Sequence, residues 1–311
     1  MIRAHVNFAL IKYWGKLNDE LRLPYQASLS FTVDNLYTET NVVYDDNLTN
    51  DIVTINGVTN DPIMSKRVTK YMDLLRKELN FNKYADITST NYVPTAAGLA
   101  SSASAFAALS VAAVKGLNLD LSNSELSRLA RLGSGSASRS IFGGFSVWNT
   151  GDDKTSVATP LNINWPEFRI IVCFVDTNVK SHSSSVAMKE SVQNKELYNV
   201  WVKESKIDLD NMYQALDKKD IDLVGSIAEK NANHMHDLVE STGITYKTKE
   251  SHDVIDKIHN MRQQGIKAYY TMDAGPNVKI ITVANQVDLI LEKLGNIETL
   301  VCKQGPGVTI I

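Results

Sequence analysis

Pro-Thr-Ala-Ala-Gly-Leu-Ala-Ser-Ser-Ala-Ser, residues 94–104, stands between a strand-like run at 85–92 and a run of small residues at 101–117 that reads as a helix. Gly98 and the alanines beside it let backbone N–H groups approach an anion closely, and the helix that follows points its positive end at the same place. Ser101, Ser102 and Ser104 add hydroxyls suited to phosphate oxygens or a magnesium ion. No Gly-Lys-Ser/Thr follows, so the segment is not a P-loop. Read for packing alone, the same residues make a helix start that a neighbouring element can approach closely.

Upstream, strand patterns occupy residues 2–12, 28–33, 37–44 and 52–55, the last running into Asn56-Gly57, a hairpin turn signal. Residues 64–79 change to helical spacing, with Val68, Tyr71, Met72, Leu75 and Leu79 on one face. Downstream, Ser122 and Glu125 form a capping box for a helix through 132. Residues 133–140 are too rich in Gly and Ser for a helix interior. Strands are predicted at 141–148 and 168–176, a polar loop at 178–185, and mainly helix from there to about 265. Two short strands flank Asp273-Ala274-Gly275-Pro276, a helix lies near Leu289, and Gly305-Pro306-Gly307 makes a turn. Strands and helices thus mix in both halves without regular βαβ alternation, which predicts the α+β class. The polar, proline-containing stretch between 148 and 168 is the natural boundary, dividing the chain into domains 1–165 and 166–311.

The 311 residues are 43% hydrophobic and 22% charged, a balance that excludes a disordered chain. The formal net charge of -3 gives no general attraction for nucleic acid or an anionic membrane, so any anion must be held by local geometry. No stretch approaches the roughly 20 apolar residues of a membrane span, and the N-terminal apolar run is too short for a signal peptide. Cys173 and Cys302 have no paired spacing and read as buried free thiols of a reducing cytosol, which predicts a cytoplasmic protein. His234 and His236 are two apart, so they do not make a metal pair on one helix face.

Three further segments carry chemical groups. Gly133 to Arg139 is a second Gly/Ser turn ending in an arginine that can grip a carboxylate or phosphate with two prongs, or else is a surface arginine after a turn. Asp273 sits at a strand end beside a tight turn, where an aspartate serves as general base or as a cap. Lys12, Tyr13, Trp14 and Lys16 cluster at the end of the first strand, either to receive phosphate or as amphipathic side chains at a strand edge.

Taken together, Ala9-Leu-Ile-Lys-Tyr-Trp-Gly-Lys16, residues 94–104, Ser134-Gly-Ser-Ala-Ser-Arg139 and Thr271-Met-Asp-Ala-Gly-Pro-Asn-Val-Lys279 resemble the galactokinase, homoserine kinase, mevalonate kinase and phosphomevalonate kinase superfamily. Within it they resemble the diphosphomevalonate decarboxylases, in the expected order over nearly the whole chain. The resemblance implies an N-terminal domain like domain 2 of ribosomal protein S5, a ferredoxin-like C-terminal domain, an active site in the cleft between them, and a homodimer. It also implies ATP and Mg2+, with mevalonate 5-diphosphate as substrate and isopentenyl diphosphate and carbon dioxide as products of isoprenoid biosynthesis.

By that resemblance, Asp273 and Arg139 are catalytic, with Lys12 in support. Tyr13, Lys16, Ser134, Gly135, Ser136, Arg139 and Ser184 meet the substrate. Pro94, Ala96, Ala97, Gly98, Leu99, Ala100, Ser101, Ser102, Ser104 and Lys180 hold ATP, with Ser102 as a magnesium ligand. The segment 178–188 departs from the common bacterial pattern, having Ser184-Ser185-Val-Ala-Met188 where Ser-Arg precedes x-Gly-Met, so one positive contact is absent there. A kinase that stops after phosphorylating the 3-hydroxyl, or a decarboxylase of a mevalonate with a different phosphate count, shares the same strings. A non-catalytic nucleic-acid module shares only the N-terminal fold, and the acidic balance with Asp273 and Arg139 opposes it.

Overall fold

The computed structural model describes residues 1–93, 101–175 and 182–311. In chain order the first half runs β1 (Ile2–Ile11), β2 (Lys16–Asn18), β3 (Leu23–Pro24), β4 (Ser28–Asp45), β5 (Ile52–Ile55) and β6 (Val58–Thr59). It continues with α1 (Met64–Leu79), β7 (Tyr84–Tyr92), α2 (Ser101–Gly116), α3 (Asn123–Gly133), a 3-10 helix (Gly135–Ile141), β8 (Phe145–Trp148) and β9 (Ala158–Pro160). The second half holds β10 (Phe168–Phe174), α4 (Ser184–Gln193), α5 (Lys195–Asp217), α6 (Ile221–Glu240), α7 (Lys249–Gln263) and β11 (Tyr269–Thr271). It ends with β12 (Val278–Val283), α8 (Val287–Leu294), β13 (Glu298–Cys302) and β14 (Thr309–Ile310).

The predicted α+β class is what these elements form. A first sheet has the order β14-β1-β4-β7-β5-β6, with β8 on β4 and β9 on β8. The small and apolar faces of α1, α2 and α3 cover one side of it, burying Tyr71, Met72, Leu75, Phe106 and Leu129. The second sheet, β11-β12-β10-β13, is antiparallel. Along β10, Ile170 and Val172 face a core shared with β1, β4, α5 and α6, while Ile171 and Cys173 face α7 and α8. A strand buried on both faces explains the unbroken apolar run in that sequence. Because one core cluster takes side chains from both sheets, the end of β1 is held against the second half of the chain.

Several expectations change in detail. The runs at 28–33 and 37–44 are one strand, β4. Between the pairs His5↔Tyr37 and Asn7↔Thr32, β1 advances two residues and β4 five, and this bulge absorbs the break in alternation. The strand predicted from 141 starts at Phe145, because Ile141 ends the 3-10 helix. Gly143 then lies against the Gly305–Gly307 turn, where a Cβ would come 2.7 Å from the Gly307 nitrogen. The loop predicted at 178–185 gives way to helix at Ser184, capped by the Ser183 side chain accepting from the Val186 N–H; residues 178–181 lie outside the described residues. β14 returns to pair with β1, so the chain's last strand lies on the first sheet. Both cysteines are buried free thiols. Among the described residues no helix is long and apolar enough to cross a membrane.

Candidate active site

Beyond β1 the chain leaves the sheet and is clamped by the second half. The Lys12 N–H donates to Asn231 Oδ1 of α6 at 2.8 Å, the Trp14 indole to Ser191 of α4 at 3.0 Å, and Tyr198 of α5 to the Trp14 carbonyl at 2.8 Å. Gly15 is required here. Its φ is +87°, and a Cβ would fall 1.8 Å from the Tyr198 hydroxyl. Lys12 is therefore not at a strand edge but 2% exposed, facing inward.

The Lys12 ammonium donates to the Ala9 carbonyl and to Asp273 Oδ1, both at 2.8 Å. Asp273 occupies the turn between β11 and β12, closed by the Gly275 N–H donating to its carbonyl at 2.8 Å. Lys279, wholly buried on β12, places its ammonium 3.3 Å from Asp273 Oδ2 and over the Phe8 ring. Burial opposes ionisation of Asp273, but the two ammonium groups outweigh it and hold the carboxyl far below the ordinary carboxylate range. Burial pulls Lys12 down to about 8, with Asp273 limiting the fall. The result is an ionised carboxylate held in a fixed orientation.

Arg139 lies on the 3-10 helix, and burial lowers its guanidinium to about 10. Its Nε donates to Asn7 Oδ1 at 3.2 Å and its Nη1 to Ser28 Oγ. Asn7 is itself fixed by donating to Ser140 Oγ at 2.8 Å and to the Ser136 carbonyl at 3.0 Å. Nε and Nη1 are thus anchored, and Arg139 lines the cavity. At Gly135 a Cβ would lie 2.8 Å from both the Tyr13 and Trp148 rings, so glycine permits their edge-to-face contact at 4.6 Å. The buried Tyr13 hydroxyl has no hydrogen-bond partner among the described residues, and burial raises its pKa, keeping it a neutral donor.

These groups line one cavity of about 630 Å³. Of the predicted site residues, Lys12, Tyr13, Lys16, Ser101, Ser102, Ser134, Gly135, Ser136, Arg139, Ser184 and Asp273 meet in its wall. Ser102 Oγ is 3.4 Å from Ser134 Oγ, joining the start of α2 to the second Gly/Ser turn. Ser104 is a correction. It is fully buried, its hydroxyl is engaged with Thr38 Oγ1 at 2.8 Å, and it packs α2 on β4 instead of reaching the cavity. Pro94, Ala96, Ala97, Gly98, Leu99, Ala100 and Lys180 lie outside the described residues. His182 is exposed and not part of the wall. His236 is buried beside this region, and desolvation lowers it to about 3, so it is neutral at ordinary pH.

Sequence reasoning missed Asn7, Arg22, Arg67 and Lys279. A lysine inside the apolar strand Val-Lys-Ile-Ile-Thr-Val was a readable signal, because a charge in a buried strand needs a partner. Arg22 and Arg67 gave none, since each looks like an ordinary surface charge. With Lys12, Lys16, Arg22, Arg67 and Arg139 against Asp19 and Asp273, the wall carries five cations and two carboxylates among the described residues, suited to a ligand of several negative charges.

A family model for the N-terminal domain of diphosphomevalonate decarboxylase-like proteins matches residues 4–158, and one for the C-terminal domain of mevalonate 5-diphosphate decarboxylases matches 170–304. A diphosphomevalonate decarboxylase from Debaryomyces hansenii is 36% identical over 301 residues, covering 89% of this chain and 77% of its own length. The solved mevalonate diphosphate decarboxylase of Staphylococcus aureus is 40% identical, with a TM-score of 0.95 over 100% of this chain and 98% of that one. A solved structure described as MDDEF in complex with MVAPP, AMPPCP and magnesium is 39% identical, also with a TM-score of 0.95 over 100% and 98%.

Proposed function

The chain belongs to the diphosphomevalonate decarboxylase family, and from that premise we propose how its cavity converts mevalonate 5-diphosphate and ATP to isopentenyl diphosphate, carbon dioxide, ADP and phosphate. The observation that carries the reading is the Asp273 carboxylate held ionised by Lys12 and Lys279 in a cavity that Arg139 also lines. The magnesium-containing complex of the relative, with its bound MVAPP and nucleotide analogue, supports the same ligands here.

The tertiary 3-hydroxyl is a poor leaving group, so it is first phosphorylated. Asp273 accepts the hydrogen bond of that hydroxyl, aims its oxygen at the γ-phosphoryl group and receives the proton as the new O–P bond forms and the bond from the γ-phosphorus to the β,γ-bridging oxygen breaks, releasing ADP. Its strongly lowered basicity suits a loose transition state, where orientation counts more than base strength. The C3–O bond then breaks and phosphate leaves. The C1–C2 bond breaks next, its electron pair forming the C2=C3 double bond as carbon dioxide departs. Arg139, anchored through Asn7 and Ser28, orients the C1 carboxylate with its free edge without adding a full set of bonds that would hold the charge in place.

Tyr13, Lys16, Ser134, Gly135, Ser136 and Ser184 hold the substrate, the orphaned Tyr13 hydroxyl being a donor awaiting a ligand oxygen. Ser101 and Ser102, with Pro94, Ala96, Ala97, Gly98, Leu99, Ala100 and Lys180, hold the nucleotide. The Ser102 hydroxyl would help hold a magnesium ion, which would supply charge neutralisation to the phosphoryl group being transferred. The division into domains at about residue 165, a cytoplasmic location and a homodimer complete the reading; two buried, unpaired cysteines suit a reducing compartment.

The test is incubation of purified protein with ATP, magnesium and mevalonate 5-diphosphate. Equal release of ADP and carbon dioxide is expected. ADP without carbon dioxide leaves only a kinase, and the release of neither refutes the assignment.

A further inference from the structure

We propose that Arg22 is a specificity-determining residue of this cavity, its guanidinium binding the terminal phosphate of the substrate's 5-diphosphate. The inference rests on the function proposed above. Arg22 closes the turn between β2 and β3 with φ at +53°, a left-handed conformation that L-residues avoid. Its side chain joins the cavity wall together with Lys16 and with Arg67 of α1.

The Arg22 side chain is largely desolvated and has no hydrogen bond or ion pair among the described residues. Its Nε is buried with no hydrogen-bond acceptor among the described residues. The carboxylate whose charge it feels, Asp19, is already bonded to Lys16 at 2.8 Å. Burial lowers the pKa of both Arg22 and Arg67, and the Arg22 charge lowers Arg67 further, so two like charges share this end of the cavity. A buried arginine in a purely structural role looks different. Arg131, fully buried, is tied to the carbonyls of Leu21, Asp153 and Ser156 and to the Asp153 carboxylate. Arg22, half-buried, has none of these ties among the described residues, and a desolvated cation facing a cavity suits a ligand anion.

Its place in the cavity selects the part of the ligand. The cations in contact with Asp273 are Lys12 at 2.8 Å and Lys279 at 3.3 Å, and Arg22 and Arg67 make no ion pair with it. Tyr13 feels the charge of Arg22 first and that of Arg139 second, so the phenol lies within reach of both ends. The reacting carbon and carboxylate belong to the Asp273–Arg139 end, and the opposite pole is left for the 5-diphosphate. Ser183 to Ser185 line the same cavity with hydroxyls, and among the described residues Arg22, Arg67 and Lys16 bring cations to that wall.

The test compares Arg22→Met with the wild type for binding of isopentenyl diphosphate and isopentenyl monophosphate by calorimetry, and for kcat and KM with mevalonate 5-diphosphate. Losing one charge-assisted contact should weaken diphosphate binding and raise KM about 30-fold, with kcat and monophosphate binding changed less than about 3-fold. Arg22→Lys should recover part of the diphosphate preference, since it restores the charge but not the fork. Equal weakening of both ligands, or unchanged KM in an active enzyme, overturns this inference alone. A wild-type protein that releases no carbon dioxide overturns the proposed function as well.

Discussion

Replacing Asp273 with asparagine removes the carboxylate that faces Lys12 at 2.8 Å and Lys279 at 3.3 Å. At an effective dielectric constant of about 20, each contact represents about 5–6 kcal/mol of Coulomb energy. The cost of Asp273→Asn is smaller, because a stranded lysine can release its proton. Neutralising a lysine of ordinary pKa 10.5 at pH 7 costs about 5 kcal/mol, which caps the penalty for Lys12. A loss of about 3–5 kcal/mol is therefore expected, as for other buried pairs broken on one side. At about 2–4 °C per kcal/mol the thermal midpoint should fall by about 6–20 °C at pH 7. The gap should narrow as pH rises through about 8, where wild-type Lys12 gives up its own proton and its pair ends. Adding Lys279→Met to Asp273→Asn removes the second stranded ammonium and should raise the midpoint again. Turnover should stay at least about 100-fold down in both variants, because the hydroxyl has lost its acceptor. Scanning calorimetry at pH 7 and 9, with carbon dioxide release, checks all of this. An Asp273→Asn protein as stable as wild type, a double variant no more stable than the single one, or near-normal turnover would each refute the reasoning.

Arg139→Lys should lower kcat about 100-fold with a smaller change in KM, because an ammonium cannot hold Asn7 and Ser28 while presenting a free edge to the substrate; normal carbon dioxide release per ADP would count against it. The pH profile of kcat should fall through about 8 as buried Lys12 deprotonates, and any turnover left in Lys12→Arg should lose that limb. Stability has the opposite sign. The unfolded chain binds more protons at Lys12 between about 8 and its ordinary 10.5, so this group makes folding more favourable as pH rises across that window. Activity should therefore be lost in a protein that remains folded, as circular dichroism at each pH would verify; coincident unfolding would sink the assignment.

Features encoded within a few residues were legible directly. Helical spacing placed α1 at Met64–Leu79, and Ser122 with Glu125 formed the expected capping box. The fusion of two strand patterns into β4 was not legible, because a bulge is defined by the partner strand and a single sequence does not show its partner. Nor was the start of β8, set by Gly143 lying against a turn 162 positions later, at Gly305. Of the candidate site, the strings around Lys12, Ser134–Arg139 and Asp273 pointed to side chains that the fold brings into one cavity. Ser104 stands in the same string as Ser102 and offers the same hydroxyl, and its commitment to Thr38 appears only when α2 lies on β4.

The sequence by itself determined the α+β class, the order of most elements and the family to which the motifs belong, since periodicity, caps and turns act over one or two turns of chain. Tertiary structure decided the electrostatics. Lys12 and Asp273 are 261 positions apart, and they pair because a core shared by both sheets presses the end of β1 against the β11–β12 turn. That same packing buries Lys279 beside the carboxylate, and the Arg22 Nε is buried with no acceptor among the described residues. Burial and distance set the strength of a charge, and neither exists until the two halves of the chain meet.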